Sequence, residues 1–303
     1  MGSRVLLTGG TGLVGPDLVT RLAGDGHEVV CLSRRPPPAA GVTWVEADLA
    51  ADPGRVLAAL PAVDFVVHAA AAREEPPGEE LTYLRRVNVE FTEALFGWAA
   101  AGRVRAVVYV SGFNILRRPL QPVITEDHPL APVTPYAVTK HRGELALAGH
   151  AARAGFRGVC LRVSSPIPFV YDRLHQTVVK TWIDRARAGR PLVVHGRGER
   201  TQDFVATEDV AAAVVGSLRS EARGTYNVAS GTTLSMRELA ELVAARWPVP
   251  VRFEGADRLE GERWNISIGR ARADLGYRPA YTARAAVERL LAGIAAGSVS
   301  STP

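Results

Sequence analysis

The sequence has little cysteine and no long apolar run, and each shortage excludes a class of protein. No run of about 18 apolar residues occurs, so we expect no membrane-spanning helix. The two cysteines, Cys31 and Cys160, lie in separate apolar stretches and are predicted to be buried thiols rather than a disulfide or a metal pair. No basic run with interleaved aromatic residues occurs, so nucleic acid is not an expected partner.

Lysine is also scarce, because only Lys140 and Lys180 among the 36 basic residues are lysines. Arginine does not titrate usefully near neutral pH, so a lysine retained in this chain is a candidate for proton chemistry. The formal net charge of +5 fits an anionic, phosphate-bearing ligand, although the arginine-rich composition by itself accounts for it.

The chain has 303 residues, of which 47% are hydrophobic, enough for one large or two coupled domains. It begins directly with a strand-like segment and lacks the pattern of a secretory signal peptide. We therefore expect a soluble cytoplasmic protein that acts on a small-molecule substrate and needs no metal.

The stretch RVLLTGGTGLVG, which starts at Arg4, predicts a buried strand, a glycine-rich turn and the first turn of a helix. Gly9 can take the positive φ that the turn needs, and Gly12 leaves room for a diphosphate at the backbone. Gly15 would let the helix pack closely on the strand. The free amides at the start of the helix would bind phosphate.

The end of the second strand bears on which dinucleotide would bind. A helix is predicted over 13–23 and a strand over 27–33, which completes a βαβ unit. An acidic residue at this strand end would favour NAD, but Ser33 and Arg34 stand there and suit a 2′-phosphate. We therefore prefer NADP over NAD. The alternative is that Arg34 and Arg35 form a solvated loop.

Later segments continue the alternation of strands and helices. A helix is predicted to open at Asn88 and to run to residue 101. Further strands, the second of them with a small-residue turn, are predicted over 42–46, 64–71, 104–111 and 158–163. This order predicts a doubly wound α/β fold, with a parallel sheet covered by helices on both faces.

The character of the chain changes after Ser164, where a proline-broken loop begins. We predict a dinucleotide-binding Rossmann domain from residues 1–163 plus about 201–229. A smaller substrate lobe would come from about 164–200 plus 230–303. Within this lobe a capped helix is predicted over 235–247, and the tail from residue 297 is predicted to be disordered.

Tyr136 and Lys140 are four residues apart and therefore share one face of a predicted helix. A tyrosine with the usual pKa of about 10 is a poor base, but a nearby lysine and a bound nicotinamide would lower that pKa. Tyr136 would then exchange a proton with an alcohol or ketone as hydride moves. The alternative is that Tyr136 and Lys140 lie at the partly exposed start of a helix and have no catalytic role.

The glycine spacing and Thr134-Pro135-Tyr136 with Lys140 resemble the extended short-chain dehydrogenases, specifically the NAD-dependent epimerase/dehydratase family. The resemblance covers nearly the whole chain and implies redox chemistry at a secondary alcohol or ketone, most often of a sugar or sugar nucleotide. It also implies that Asp48 contacts the adenine and that Asn88 helps to hold the active-site region. With the motifs above, the expected cofactor-binding residues are Gly9, Gly12, Leu13, Val14, Gly15, Ser33, Arg34, Asp48, Leu49, Ala69, Ala70, Ala71, Asn88, Tyr136 and Lys140.

Several positions depart from the family pattern. The family usually places a Ser or Thr that hydrogen-bonds the reacting oxygen where this chain has Gly112. Ser111, Asn114 or a substrate group would have to supply that bond. Phe113 and Asn114 also replace the Asp-Glu pair of the sugar-nucleotide 4,6-dehydratases, so that dehydration is not expected.

Two further departures concern the diphosphate of a sugar nucleotide. Ser165 and Gln202 stand where such members commonly have an Asn and an Arg, although Arg200 is close enough to serve. We therefore expect an epimerase or oxidoreductase. The alternatives are an NADPH-dependent ketoreductase of a non-nucleotide metabolite and a dinucleotide-binding protein without turnover.

The resemblance also implies a homodimer, formed through the helix after Asn88 and the helix that carries Tyr136. The alternative is that the apolar residues of these helices only pack on the sheet. The candidate contact residues are Ala94, Leu95, Trp98, Leu145 and Leu147.

Overall fold

The computed structural model describes residues 2–74 and 81–294. In chain order, the strands are β1 (Arg4–Thr8), β2 (Glu28–Ser33), β3 (Thr43–Glu46), β4 (Phe65–His68), β5 (Ala106–Gly112), β6 (Arg157–Val163), β7 (Ser165–Ile167), β8 (Leu192–His195), β9 (Thr201–Gln202), β10 (Phe204–Ala206), β11 (Gly224–Val228), β12 (Leu234–Ser235) and β13 (Val251–Glu254). The α-helices are α1 (Gly15–Gly24), α2 (Pro53–Ala58), α3 (Thr82–Arg85), α4 (Phe91–Ala101), α5 (Pro135–Ala154), α6 (Val178–Arg187), α7 (Thr207–Arg219), α8 (Met236–Arg246), α9 (Gly269–Leu275) and α10 (Ala283–Gly293).

Seven strands form one parallel sheet in the order β3-β2-β1-β4-β5-β6-β11. The chain crosses from the β1–β3 side to the β4–β6 side next to β1, where a crevice opens at the carboxyl ends of the strands. The central strands are apolar at nearly every position because both faces of the sheet are covered. The predicted doubly wound α/β fold is confirmed.

Two hydrophobic cores lie on opposite faces of this sheet. On one face, Leu18 of α1 and Val214 of α7 pack against strand residues such as Leu7. On the other face, Leu95 of α4 and Leu147 of α5 pack against the sheet. A third core, built mainly by α6, α8 and α10, lies in the C-terminal half. Cys31 and Cys160 are buried free thiols, as predicted.

Helix α5 begins where its sequence signals predict a helix start. Thr134 caps it by accepting a hydrogen bond from the Ala137 amide at 3.2 Å, and Pro135 follows in the first turn. The helix ends at Gly155, whose φ of 77° is the left-handed conformation that glycine tolerates. The cap places Tyr136 in the first turn and Lys140 one turn further on.

The prediction that Asn88 opens a helix is wrong. A helical segment already begins with α3, continues through a π-helical turn at Arg86–Glu90, and leads into α4. Asparagine favours helix starts because its side chain can cap free amides. Here its side chain instead bonds to groups outside the helix, Ala72 and Thr139. The predicted disordered tail lies outside the described residues.

The residues proposed for a dimer contact divide into two groups. Leu95 and Leu147 are buried in the core of their own subunit, so intramolecular packing accounts for them and their assignment to an interface is wrong. Ala94 and Trp98 pack partly against the same core, whereas Leu145 is exposed. Within the described part of the chain, no helix has the length and apolar character that crossing a bilayer requires.

Candidate active site

The glycine turn after β1 is a close-packed crossing of two chain segments. Gly9 has a φ of +80°, as predicted, and a Cβ there would stand 2.6 Å from the Ala70 nitrogen and 2.7 Å from the Ala69 carbonyl carbon. A Cβ on Gly15 would stand 2.3 Å from the Gly9 oxygen. Only glycine fits at these two positions, because backbone rather than a movable side chain fills the space.

The start of α1 presents free amides toward the same crevice. The Gly12 amide donates to the Gly9 carbonyl at 2.9 Å, and the Gly15 amide donates to the Gly12 carbonyl at 3.2 Å. In the described part of the chain, the amides of Leu13 and Val14 donate to no backbone carbonyl. Free amides at a helix N-terminus form a phosphate site, so this turn fits the diphosphate of a dinucleotide.

A cavity of about 950 Å³ runs along the carboxyl ends of the strands. It collects nearly all the site residues that the sequence predicts, and the exceptions are Gly15 and Asn88. The predicted residues that line it are Gly9, Gly12, Leu13, Val14, Ser33, Arg34, Asp48, Leu49, Ala69, Ala70, Ala71, Ser111, Asn114, Tyr136, Lys140, Ser165, Arg200 and Gln202.

The end of β2 offers cations rather than a free hydroxyl. The Ser33 hydroxyl donates to the Arg35 carbonyl at 2.6 Å, and the Trp44 indole donates to the Ser33 carbonyl at 3.1 Å. Ser33 therefore shapes the turn, and its proton is not available to a phosphate. Arg34 and Arg35 are both exposed and both line the cavity.

Asp48 and Asn88 hold two neighbouring loops. The Asp48 carboxylate accepts a hydrogen bond from the Ala50 amide at 3.0 Å, whereas Asp52 caps the start of α2. The Asn88 side chain accepts from the Ala72 amide at 2.7 Å and donates to Thr139 at 3.0 Å. The buried Asn88 thus links the loop after β4 to α5 without lining the cavity itself.

Lys140 is buried and carries one strong contact. Its Nζ donates to the Val110 carbonyl at 2.5 Å and lies 4.1 Å from the centre of the Tyr109 ring. Burial lowers the pKa of Lys140 to about 8, although the negative charge of Glu144 opposes the shift. Glu144 is itself buried in an ion pair with Arg162 at 2.8 Å.

The pKa of the half-buried Tyr136 depends on burial as well as on nearby charge. Burial raises the pKa of Tyr136, and the positive charge of Arg73 opposes the rise. Desolvation disfavours the phenolate more than the charge of Arg73 stabilises it. Without a further positive charge in the cavity, the phenol is therefore a proton donor at neutral pH.

The end of β5 lacks one side chain and has another that is unpartnered. The Ser111 hydroxyl oxygen is buried without a hydrogen-bond partner among the described residues. A Cβ on Gly112 would lie 3.0 Å from the Oδ1 atom of Asn114. The amide of Asn114 therefore occupies the space beside Gly112 in which a longer side chain would lie.

At the far end of the cavity, the two predicted anchor positions bond to each other. The Gln202 amide, at the end of β9, donates to the Ser165 hydroxyl of β7 at 2.5 Å. Arg200 forms an ion pair with Asp257 at 3.0 Å. Arg118, which sequence reasoning missed, pairs with Glu262, and burial and the charge of Arg200 lower its pKa.

The cavity is strongly cationic. Among the described residues, six lysine and arginine side chains line it against two carboxylates, those of Asp48 and Glu74. Such a lining attracts anionic ligands. Besides Arg118, sequence reasoning missed Arg73 and His175, since neither lies in a motif. The six basic residues are Arg34, Arg35, Arg73, Arg118, Lys140 and Arg200.

Comparison with known proteins places this geometry in a family. Residues 5–229 match the model of the NAD dependent epimerase/dehydratase family. The chain is 30% identical to a UDP-glucose 4-epimerase of Mycolicibacterium smegmatis, over 91% of this chain and 93% of the relative. It is 29% identical to a dTDP-6-deoxy-L-talose 4-dehydrogenase (NAD(P)(+)) of Kitasatospora kifunensis, over 95% and 94%.

The solved structure of MoeE5 in complex with UDP-glucuronic acid and NAD has the same fold, with a TM-score of 0.80 and 26% identity. The match covers 96% of this chain and 98% of MoeE5. The family match includes both the glycine turn and the helix that carries Tyr136. The chain therefore belongs to the NAD-dependent epimerase/dehydratase family, as its resemblance predicted.

Proposed function

We propose that the protein transfers a hydride between a nicotinamide dinucleotide and a secondary alcohol or ketone carbon of a sugar nucleotide. The observation that carries the proposal is a single cavity that joins the glycine turn to Tyr136 and Lys140 and continues to Arg118 and Arg200. The UDP-sugars and dTDP-sugars in the names of similar proteins support this substrate class. When bound, the dinucleotide would supply or accept the hydride.

Tyr136 exchanges the proton in this proposal. Burial keeps its phenol protonated at neutral pH, which suits donation to a ketone oxygen. Lys140, on the same helix face, holds a positive charge that favours the phenolate in the reverse direction. Its bond to the Val110 carbonyl fixes the ammonium in place.

The reacting oxygen needs a second hydrogen-bond donor, because charge develops on it as hydride moves. Ser111 offers an unpartnered hydroxyl and Asn114 offers an amide, and both line the cavity that Tyr136 also lines. Asn114 is the better candidate for direct contact because its side chain is exposed to the cavity, whereas the Ser111 hydroxyl oxygen is buried.

The expected binding residues divide between the two ends of the cavity. We propose that the dinucleotide binds along the glycine turn and that its phosphates meet the amides of Leu13 and Val14. Arg34 and the absence of a carboxylate at the end of β2 favour NADP. The substrate would meet Arg118, Arg200, Ser165 and Gln202, with the two arginines holding its phosphates.

A second candidate function follows from one observation. Gln202 and Ser165 bond to each other, so neither offers the charged anchor common in sugar-nucleotide enzymes. This pairing favours an NADPH-dependent ketoreductase of a non-nucleotide metabolite. A homodimer, a cytoplasmic location and the domain division at residues 163, 201 and 229 stay predictions.

The test uses the purified full-length protein, NADH or NADPH, and a panel of UDP- and dTDP-sugars and simple ketones. Tyr136→Phe should keep dinucleotide binding and lower turnover roughly 10²- to 10⁴-fold, because it removes only the exchanged proton. Tyr281→Phe, at a half-buried tyrosine that does not line the cavity and donates to Glu208, is the matched control. Wild-type turnover by Tyr136→Phe, or no dinucleotide binding by the wild type, would contradict the proposal. Inhibition by free UDP would favour the sugar-nucleotide enzyme, and its absence would favour the ketoreductase of a non-nucleotide metabolite.

A further inference from the structure

A short segment of the C-terminal half crosses the dinucleotide end of the cavity. It consists of residues 171–175, which we call the strap. It begins as a 3-10 turn, Tyr171–Arg173, and its next two residues, Leu174 and His175, line the cavity together with Leu13. The strap thus contributes to the same enclosure as the glycine turn.

Lys180 of α6 holds the first residue of the strap, Tyr171. Lys180 donates to the Tyr171 hydroxyl at 2.9 Å and pairs with Asp184 at 3.1 Å, and its Nζ lies 4.5 Å from the centre of the Tyr171 ring. Leu174 is buried in the core of the C-terminal half. These contacts anchor the strap in that half of the molecule.

Its other contacts reach the Rossmann sheet on both sides of the crevice. Arg173 donates to the Leu13 carbonyl at 2.7 Å and pairs with Asp17, in the first turn of α1, at 2.5 Å. On the other side, His175 accepts a hydrogen bond from Arg73, in the loop after β4. The contact between Arg173 and Leu13 lies next to the glycine turn, where a dinucleotide would bind.

Arg173 has a buried donor, Nε, without a hydrogen-bond partner among the described residues. A buried guanidinium donor without an acceptor is unfavourable, and a phosphate oxygen would satisfy it. An anionic ligand at the adjacent N-terminus of α1 would therefore favour the closed arrangement of the strap, in which Arg173 contacts Leu13 and Asp17.

We infer that the strap retains the dinucleotide and that Arg173 is the residue that positions it against the glycine turn. This inference rests on the proposed function. Release of the dinucleotide then requires the Arg173 contacts with Leu13 and Asp17 to break. Slow exchange suits a cycle in which the same bound dinucleotide gives up and regains its hydride, as in epimerisation.

The experiment measures the release of NADH or NADPH, whichever the wild type binds more tightly, from the full-length protein. Bound reduced dinucleotide is mixed with excess oxidised dinucleotide, and its fluorescence is followed with time. Arg173→Ala should raise the release rate constant at least roughly tenfold, because a charge-assisted contact is lost and such losses act mainly on dissociation. Arg173→Lys should give an intermediate release rate, because lysine keeps the positive charge but lacks the planar set of donors of a guanidinium.

Arg219→Ala is the matched control. It removes another arginine–aspartate pair of α1, the contact with Asp25 just beyond the other end of the helix. Its release rate should stay within about twofold of the wild type. If Arg173→Ala fails to fold, Asp17→Asn removes the same ion pair and should accelerate release.

Two results overturn the inference in different ways. If the wild type binds dinucleotide but Arg173→Ala and Asp17→Asn both release it at the wild-type rate, the strap is only a structural contact. A lower unfolding temperature of these variants with unchanged release likewise means that the strap only stabilises the fold. If the wild type binds neither dinucleotide, the proposed function fails and the inference fails with it.

Discussion

The Oδ1 atom of Asn114 lies 3.0 Å from the point where a Cβ on Gly112 would stand. This distance is too short for an ordinary van der Waals contact, so a Cβ at position 112 would push the Asn114 amide aside by a few tenths of an ångström. The absence of a side chain at Gly112 and the position of the Asn114 amide are therefore linked. The amide lines the cavity that Tyr136 also lines.

Asn114→Ala should lower kcat by roughly 10²- to 10³-fold with a smaller effect on KM, because the lost donor acts mainly in the transition state. Gly112→Ser added to Asn114→Ala should recover much of the loss, since removing the amide frees the space for a hydroxyl. Steady-state kinetics of the two variants and of Gly112→Ser alone provide the measurement. Full activity of Asn114→Ala together with a loss in Ser111→Ala would assign the role to Ser111 instead.

Arg34→Ala should weaken NADPH binding by roughly tenfold or more and leave NADH binding almost unchanged, because only NADPH carries the 2′-phosphate. Isothermal titration calorimetry with both dinucleotides measures the effect. Arg55→Ala, a variant of an arginine at the end of α2, is the control. Equal losses for NADH and NADPH would show that Arg34 does not select between them.

Arg118→Gln and Arg200→Gln should each raise the KM for a sugar nucleotide by roughly tenfold while kcat changes less, because phosphate contacts far from the reacting carbon bind the ground and transition states alike. Neither change should affect dinucleotide binding. Arg197→Gln, at an exposed arginine paired with Glu199, is the control. Unchanged KM values in both variants would favour a substrate without phosphate.

His68 should make the protein sensitive to acid. It is fully buried between the hydroxyls of Thr8 and Thr92, and burial lowers its pKa to about 3. An unfolded histidine has a pKa of about 6.5, so below that pH the unfolded chain binds a proton that the folded chain does not. The free energy of unfolding contributed by this group therefore falls as pH drops, by at most about 1.4 kcal/mol per pH unit.

Urea unfolding at several pH values between about pH 6.5 and pH 5 tests this expectation. His68→Gln should show a shallower loss of stability with acidification than the wild type, whatever its stability at neutral pH. The exposed His195→Gln variant should keep the wild-type slope. Identical slopes for all three proteins would contradict the assignment.

The parts of this protein that depend on neighbours within a few residues could be predicted from local sequence signals. Gly9 needs a positive φ, and the apolar run before it needs burial, so the turn and its strand are readable locally. The cap at Thr134 and the spacing of Tyr136 and Lys140 likewise follow from one helix. These local signals also carried the resemblance to the family.

Tertiary structure alone decided which distant side chains share the cavity and how burial changes their chemistry. Arg118, Arg73 and His175 enter it from loops that no motif marks. Gln202, at the end of β9, meets Ser165 because β10, the next strand along the chain, pairs with β7. The raised pKa of Tyr136 also depends on the fold, because desolvation comes from residues packed around the phenol. Spacing along one helix can place a lysine near a tyrosine, but it cannot reveal how much water the folded chain removes from both.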